Sequence, residues 1–143
     1  MLAKENQILE LAPMLKKIWP EHSIEELNEI IKEYMNSENS AVFTSVKNNE
    51  CVAAALCCLR FDYVEGCESS PVGYLEGIYV KEKWRNLGIA KSLCEECEQW
   101  AKEKGCSEFA SDCELTNTVS YNFHLKIGFL EENRIIHFKK KIN

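Results

Sequence analysis

Ile8, Leu11, Leu15 and Ile18 recur at the three- and four-residue spacing of one helix face, with Asn6 as a candidate cap. Pro13 falls inside that pattern and predicts a kink or a restart, because proline has no N–H to donate and crowds the preceding turn. A second helix is expected to start at Ser23. Ser23 and Glu26 have capping-box spacing ahead of the apolar positions Leu27, Ile30, Ile31 and Tyr34. The period then changes. Residues 41–47 read as a strand, Asn48-Asn49 as a tight turn and residues 50–60 as the returning strand of a hairpin. A polar loop over 61–71 leads into an apolar strand over 73–80, interrupted by Glu76-Gly77, and a glycine there points to a bulge. Ile89, Leu93, Cys97, Trp100 and Ala101 share one face of a helix over 88–104, ended by Gly105. A short strand over 106–112, a helix over 117–127 stopped at Gly128-Phe129, and a last strand over 135–141 complete the chain. This order predicts a single α/β domain over 1–143, a mixed sheet covered by helices.

The chain of 143 residues is 45% hydrophobic, enough for one substantial core. Its longest nearly apolar run, residues 51–59, is far short of the roughly 20 residues a membrane helix needs. The first residues show no basic segment followed by an apolar one, so a cytoplasmic protein is expected, with no membrane partner. Seventeen basic against 23 acidic residues give a net charge of -6. That balance argues against binding nucleic acid, which needs a positive footprint, and suits a cationic ligand. Most of the eight cysteines lie inside apolar or helical patterns, as expected of reduced thiols that pack as small hydrophobes. Cys94-x-x-Cys97 has a metal-like or redox-like spacing, but no second pair accompanies it and it falls in mid-helix. No metal is expected.

The stretch most informative about chemistry is a strand over 74–80, a basic loop over 81–84, then Arg85-Asn86-Leu87-Gly88-Ile89-Ala90. Free N–H groups at a helix start favour a diphosphate, and Lys81, Lys83 and Arg85 add positive charge. The glycine spacing is neither the dinucleotide fingerprint nor a P-loop. Arg85-x-x-Gly88-x-Ala90 after an apolar strand resembles the acetyl-CoA pyrophosphate loop of the GCN5-related N-acetyltransferase superfamily. Asn117, Ser120, His124 and Gly128-Phe129 resemble that family's last helix and Gly-Phe corner.

The resemblance implies a centrally splayed sheet with the pantetheine arm of acetyl-CoA in the gap. Ile78, Tyr79 and Val80 on the strand, Arg85, Asn86, Leu87, Gly88, Ile89 and Ala90 in the loop and helix start, and Asn117 would hold this cosubstrate. A backbone N–H near Ile78 would stabilise the developing oxyanion, and a homodimer is implied. Trp19-Pro20, the run from Asp62-Tyr63-Val64-Glu65-Gly66 to Cys67-Glu68-Ser69-Ser70-Pro71-Val72, Leu75-Glu76-Gly77, Ala110-Ser111-Asp112 and Asn117-Thr118 are together similar to the aminoglycoside 6′-N-acetyltransferases of that superfamily. Few residues precede the first helix, so the family's first strand should be very short or absent.

Glu76 stands on an otherwise apolar strand, where a charge is costly unless paired or facing a cleft. Asp112 ends another apolar strand at the edge where α/β ligands collect. An edge carboxylate and a turn cap are their structural alternatives. The resemblance implies that either binds the acceptor amine and removes its proton. His124 stands where many relatives have a tyrosine thought to protonate the departing thiolate; it is as readily a histidine held by packing. Trp19, Tyr63 and Glu68 would complete the acceptor side, since aromatic faces stack on sugars and attract cations. The favoured reading is direct transfer of acetyl to the 6′-amine of an aminoglycoside. Three rivals stand beside it: an acetyltransferase for a polyamine or a protein amine, a non-catalytic module that binds acetyl-CoA or drug, and a redox or metal protein built on the cysteines.

Overall fold

The computed structural model describes residues 1–143, in two compact units, Met1–Asp112 and Cys113–Asn143. The first holds α1 (Ile8–Lys16), α2 (Ile24–Asn36), β1 (Ser40–Lys47), β2 (Glu50–Arg60), β3 (Val72–Val80), α3 (Ile89–Glu103) and β4 (Phe109–Ser111). The second holds α4 (Thr118–Lys126). No helix is long and apolar enough to cross a membrane.

The sheet of the first unit has the order β1-β2-β3-β4, with β1, β2 and β3 antiparallel to their neighbours and β4 parallel to β3. Asn48 and Asn49 both have positive φ, +51° and +63°, which closes the β1–β2 hairpin with a turn whose twist matches the strands. Leu11, Leu15, Leu27 and Ile31 of α1 and α2 form a core with Val42, Ala54 and Leu56 of the sheet. Cys57, the next residue along β2, instead faces Cys97 of α3. Helices therefore cover both faces of β2, which is why Cys51 to Cys57 reads as an unbroken apolar run rather than an alternating one. Five of the eight cysteines are buried and none forms a disulfide.

Local signals account for most element ends. Ser23 and Glu26 form the reciprocal capping box expected of them. Gly105, at φ +94°, ends α3, where its own N–H reaches Lys102 and that of Cys106 reaches Ala101. The first helix departs from expectation. Asn6 lies inside a 3₁₀ turn, Glu5–Gln7, that runs into α1, and Lys4 and Gln7 occupy the cap positions. Pro13 does not interrupt α1, because it is exposed and water can take the hydrogen bond its ring forfeits. The first strand that the resemblance implies is reduced to one bridge, Leu2 to Phe43.

The expected strand over 135–141 does not form, and the chain after Phe129 has no helix or strand. A strand exists only through a neighbour, and no strand in the sheet bonds this segment.

Gly73 sets the close approach of α3 to the sheet. A Cβ there would sit 2.6 Å from both the Ala101 Cβ and the Phe109 ring. Gly73→Ala should lower stability by roughly 1–3 kcal/mol, as overpacking does. Urea denaturation checks this; an unchanged midpoint would show that α3 and β4 can move apart without cost.

Candidate active site

β2 pairs with β3 from Arg60–Val72 to Ala53–Val80, but β4 pairs with β3 only at Gly73, Tyr74 and Leu75. Beyond Leu75 the sheet parts. At the same point the β2–β3 register slips: Leu56 pairs with Gly77 and Cys57 with Leu75, so Glu76 is the extra residue of a β-bulge. Lys81 donates its N–H to the Val52 carbonyl at 2.9 Å, so strand alternation turns the main-chain groups of Val80 and Ile78 away from β2, toward the parted edge. Arg85 Nε donates to the Val80 carbonyl at 2.8 Å, which agrees with that direction.

The bulge feeds a connected polar cluster. Glu76 Oε1 accepts from Arg60 Nη2 at 2.6 Å and from Cys58 Sγ at 3.2 Å. The Arg60 guanidinium lies 3.4 Å from the centroid of the Tyr74 ring, and the Tyr74 hydroxyl donates to Asp112 Oδ2. Both candidate carboxylates thus meet through one arginine–tyrosine stack. Burial, reinforced by Glu76, pushes the Cys58 thiol up to about 12, so it stays protonated beside the carboxylate. Burial first, then the Asp112 hydrogen bond, pushes the Tyr74 hydroxyl up. Tyr34 of α2 is raised by burial and then by Glu76, which places it in the same field. One arginine faces two carboxylates, and that excess suits a cationic ligand. Trp19, just past α1, lies against Gly77: a Cβ there would fall 2.7 Å from its ring. Glycine at the bulge therefore lets an aromatic face sit beside the carboxylates.

The chain leaving β3 makes a 3₁₀ turn, Glu82–Trp84, before α3. Asn86 has φ +62°, and Gly88, at φ +82°, is the N-cap of α3 without a side-chain cap. The first N–H groups of α3 have no acceptor within the helix and face an anion naturally. A Cβ at Gly88 would meet nothing within 4 Å, so the loop is open there to an approaching group. Lys81 and Lys83 do not crowd this end; their ammonium groups lie 3.7 and 3.8 Å from Glu50. A cavity of about 410 Å³ touches Leu87 to Ile89 but lies on the β1 side, against Thr44 to Lys47. Asp112 is exposed and the Glu76 side chain is 24% exposed, so both carboxylates can be reached from solvent.

In the second unit Asn117 caps α4, accepting the Ser120 N–H at 3.1 Å. His124 Nδ1 is 2.7 Å from the Ser120 carbonyl, which can only accept, so Nδ1 carries a proton. The ring also meets Phe123 and Phe129 edge-on or tilted, at 5.7 and 5.1 Å. Of the residues expected to form the site, Glu76 and Asp112 share one network and Trp19 lies against Gly77, next to Glu76 in the bulge. Tyr63 points into solvent, 76% exposed, and Glu68 is exposed; neither bonds the cluster through its side chain. Arg60, Tyr74, Cys58 and Tyr34 were not anticipated. For the three on strands the sequence signal was period-two spacing, Cys58 with Arg60 and Tyr74 with Glu76; Tyr34 read only as an apolar helix position.

The model of the acetyltransferase (GNAT) family matches residues 8–129. The chain belongs to that family. Its curated relatives include the aminoglycoside N(6′)-acetyltransferase type 1 of Acinetobacter genomosp. 13, 35% identical over 99% of this chain and 97% of the relative. The enzyme of the same name from Serratia marcescens is 40% identical over 87% of this chain and 86% of the relative. Among solved structures, the aminoglycoside 6′-N-acetyltransferase AAC(6′)-Ih of Acinetobacter baumannii superposes with a TM-score of 0.94 at 33% identity, over 100% of this chain and 97% of that one. AAC(6′)-Iy in complex with the bisubstrate analogue CoA-S-monomethyl-acetylneamine gives 0.94 at 32% identity, over 99% and 97%. In this acetyltransferase the parted sheet, the bulge and the glycine-capped α3 are the family's mixed, splayed α/β architecture.

Thiol reactivity reports on the cluster without assuming an activity. With its thiol pushed up to about 12 beside Glu76, Cys58 should resist iodoacetamide at pH 8, while exposed Cys113 is alkylated first. Peptide mass spectrometry over a time course checks this; equal rates at the two positions would contradict the half-buried Cys58–Glu76 contact.

Proposed function

We propose that this GNAT acetyltransferase transfers acetyl from acetyl-CoA directly to the 6′-amine of an aminoglycoside, working as one domain over 1–143. The carrying observation is the bulged carboxylate at the point where the sheet parts, joined to a second carboxylate through an arginine–tyrosine stack. The relatives' names and the bisubstrate complex of AAC(6′)-Iy support the substrate class.

The parted edge fits a pantetheine arm, since Ile78 and Val80 offer main-chain donors and acceptors there. The N-terminus of α3 with its bare Gly88 fits a diphosphate, and Arg85 to Ala90 would flank it. Acetyl-CoA supplies an activated acetyl thioester, and the products are an amide and the free thiol. An ammonium cannot attack a carbonyl, so the chain must first take a proton from the amine. Glu76 or Asp112 accepts it, directly or through water. The Ile78 N–H stabilises negative charge on the carbonyl oxygen. His124, with Nδ1 bonded to the Ser120 carbonyl, would act as general acid through a proton on Nε2. Asn117 has its side-chain oxygen in the α4 cap, leaving the amide nitrogen for the cosubstrate. Trp19, Tyr63 and Glu68 line the acceptor side in this reading. A cytoplasmic setting accords with it, because acetyl-CoA is made and used there.

A homodimer belongs to the same proposal. Its support is the tail after Phe129, where Leu130, Ile136, Phe138 and Ile142 are each more than 80% exposed. So much apolar surface on one segment suits a second copy of the chain. Sedimentation should give a dimer, and removing residues 135–143 should give monomer or aggregate; a well-behaved full-length monomer would refute the association.

Thiol release on mixing protein, acetyl-CoA and a panel of amines tests the activity. Kanamycin and tobramycin should turn over, and a kanamycin analogue with 6′-hydroxyl in place of the amine should not. Turnover with spermidine alone would leave the family and sink the antibiotic assignment. Acetyl-CoA binding with no turnover would favour a binding module. Glu76→Gln or Asp112→Asn, whichever removes the base, should cut kcat by about 10²-fold or more with kanamycin. A loss of less than about threefold in both would move the proton elsewhere.

A further inference from the structure

The loop joining β2 to β3 carries Tyr63 and Glu68, yet neither side chain is bound to the carboxylate cluster. Something else must set where this loop stands. We propose that Glu108 is its positioning residue, and this rests on the acceptor-side reading given above.

Glu108 directly precedes β4, and its carbonyl accepts the Gly73 N–H at 3.1 Å, tying it to the start of the β3–β4 pairing. Its side chain reaches the loop. Oε1 accepts the N–H of Glu68 at 2.9 Å, the N–H of Ser69 at 2.8 Å, and the Ser69 hydroxyl. Three donors converge on one carboxylate oxygen, and no lysine or arginine pairs with Glu108. Consecutive main-chain N–H groups closing on an anion form a nest, here filled by the protein's own carboxylate. The Ser69 hydroxyl, then the Glu68 N–H, hold the Glu108 carboxyl below the usual carboxylate range, as expected of an anion with only donors around it. Within the loop, the Cys67 N–H donates to the Val64 carbonyl at 3.0 Å and Ser70 Oγ donates to the Phe61 carbonyl at 2.9 Å.

The geometry at the loop's other end completes the case. Arg60, the last residue of β2, is held by Glu76 at 2.6 Å. One carboxylate of the catalytic cluster fixes the entry to the loop, and Glu108 fixes its return at residues 68–69. The loop is therefore a wall of set position, not a mobile lid. An acceptor large enough to touch it would read its placement, while acetyl-CoA and a small amine would not. Glu108 should govern affinity for the bulky acceptor and leave the chemical step alone.

The test uses the full chain with Glu108→Ala and Glu108→Asp, compared with the unmodified protein. Glu108→Ala should raise KM for kanamycin about tenfold, the scale of losing hydrogen bonds to a charged group. kcat, the KM for acetyl-CoA and the turnover of a small primary amine should stay within about twofold. Hydrogen exchange at the Glu68 and Ser69 amides should quicken, and Glu108→Asp, which keeps the carboxylate, should recover part of both effects. Faster exchange with unchanged acceptor KM would reduce Glu108 to a structural clamp and overturn the proposal. A parallel loss in every kinetic constant would overturn it too, as a general folding defect. Failure of the functional reading is distinguishable: the unmodified protein would then turn over no aminoglycoside, removing the loop's role in acceptor binding while the exchange result still reports the clamp.

Discussion

A β-bulge sets two consecutive residues against one on the neighbouring strand, and in this sheet the extra residue is Glu76. Regular pairing would have alternated Glu76 and Gly77 between opposite faces. The slip keeps Tyr74, Glu76 and Gly77 available to one side, where Arg60, Cys58 and Trp19 also lie. At the same height β4 stops pairing with β3, so the main chain of Ile78 and Val80 turns its polar groups to an edge without a strand. The carboxylate and the exposed edge are separate consequences of register, and both fall within a few residues of one irregularity. The remaining elements place themselves around it: α1 delivers Trp19, α2 delivers Tyr34, and α3 begins where β3 has run out.

Electrostatics at that point favour a ligand over pure stability. A half-buried carboxylate is tolerable because Arg60 and the Cys58 thiol bond it, and Arg60 is itself spread over the Tyr74 ring. Asp112 has a neutral phenol for its partner, not a cation. A core optimised only to stay folded would balance its charges, whereas this cluster leaves a carboxylate in excess on an accessible edge. That imbalance is what an amine-handling acetyltransferase needs. It also explains why the chain's net negative charge agreed with the site without locating it.

The two units differ in how completely they satisfy their own surfaces. The first covers both faces of its central strand. The second carries a capped helix and then a tail of exposed apolar residues with no strand to join. Its alternation of Ile136 and Phe138 with His137 and Lys139 is strand-like, but period alone cannot form a strand when its partner must come from elsewhere.

Much of the fold was legible along the chain because its signals are local. Helical spacing, the Ser23–Glu26 box, the Asn48-Asn49 turn, the Gly105 stop and the bulge beside Gly77 each depend on a few neighbouring residues. The sequence alone also determined the family, through the Arg85-x-x-Gly88-x-Ala90 helix start and the last helix with its Gly128-Phe129 corner. Pro13 and Asn6 misled because exposure and a 3₁₀ entry, neither visible in a pattern, decided their roles. What only the tertiary structure decided was partnership across the sheet. Arg60 meets Glu76, Tyr74 meets Asp112 and Glu108 meets the loop across 16, 38 and about 40 positions of chain. Hydrogen bonds and ion pairs act over a few ångströms of space, and sequence distance carries no record of which side chains folding will bring that close.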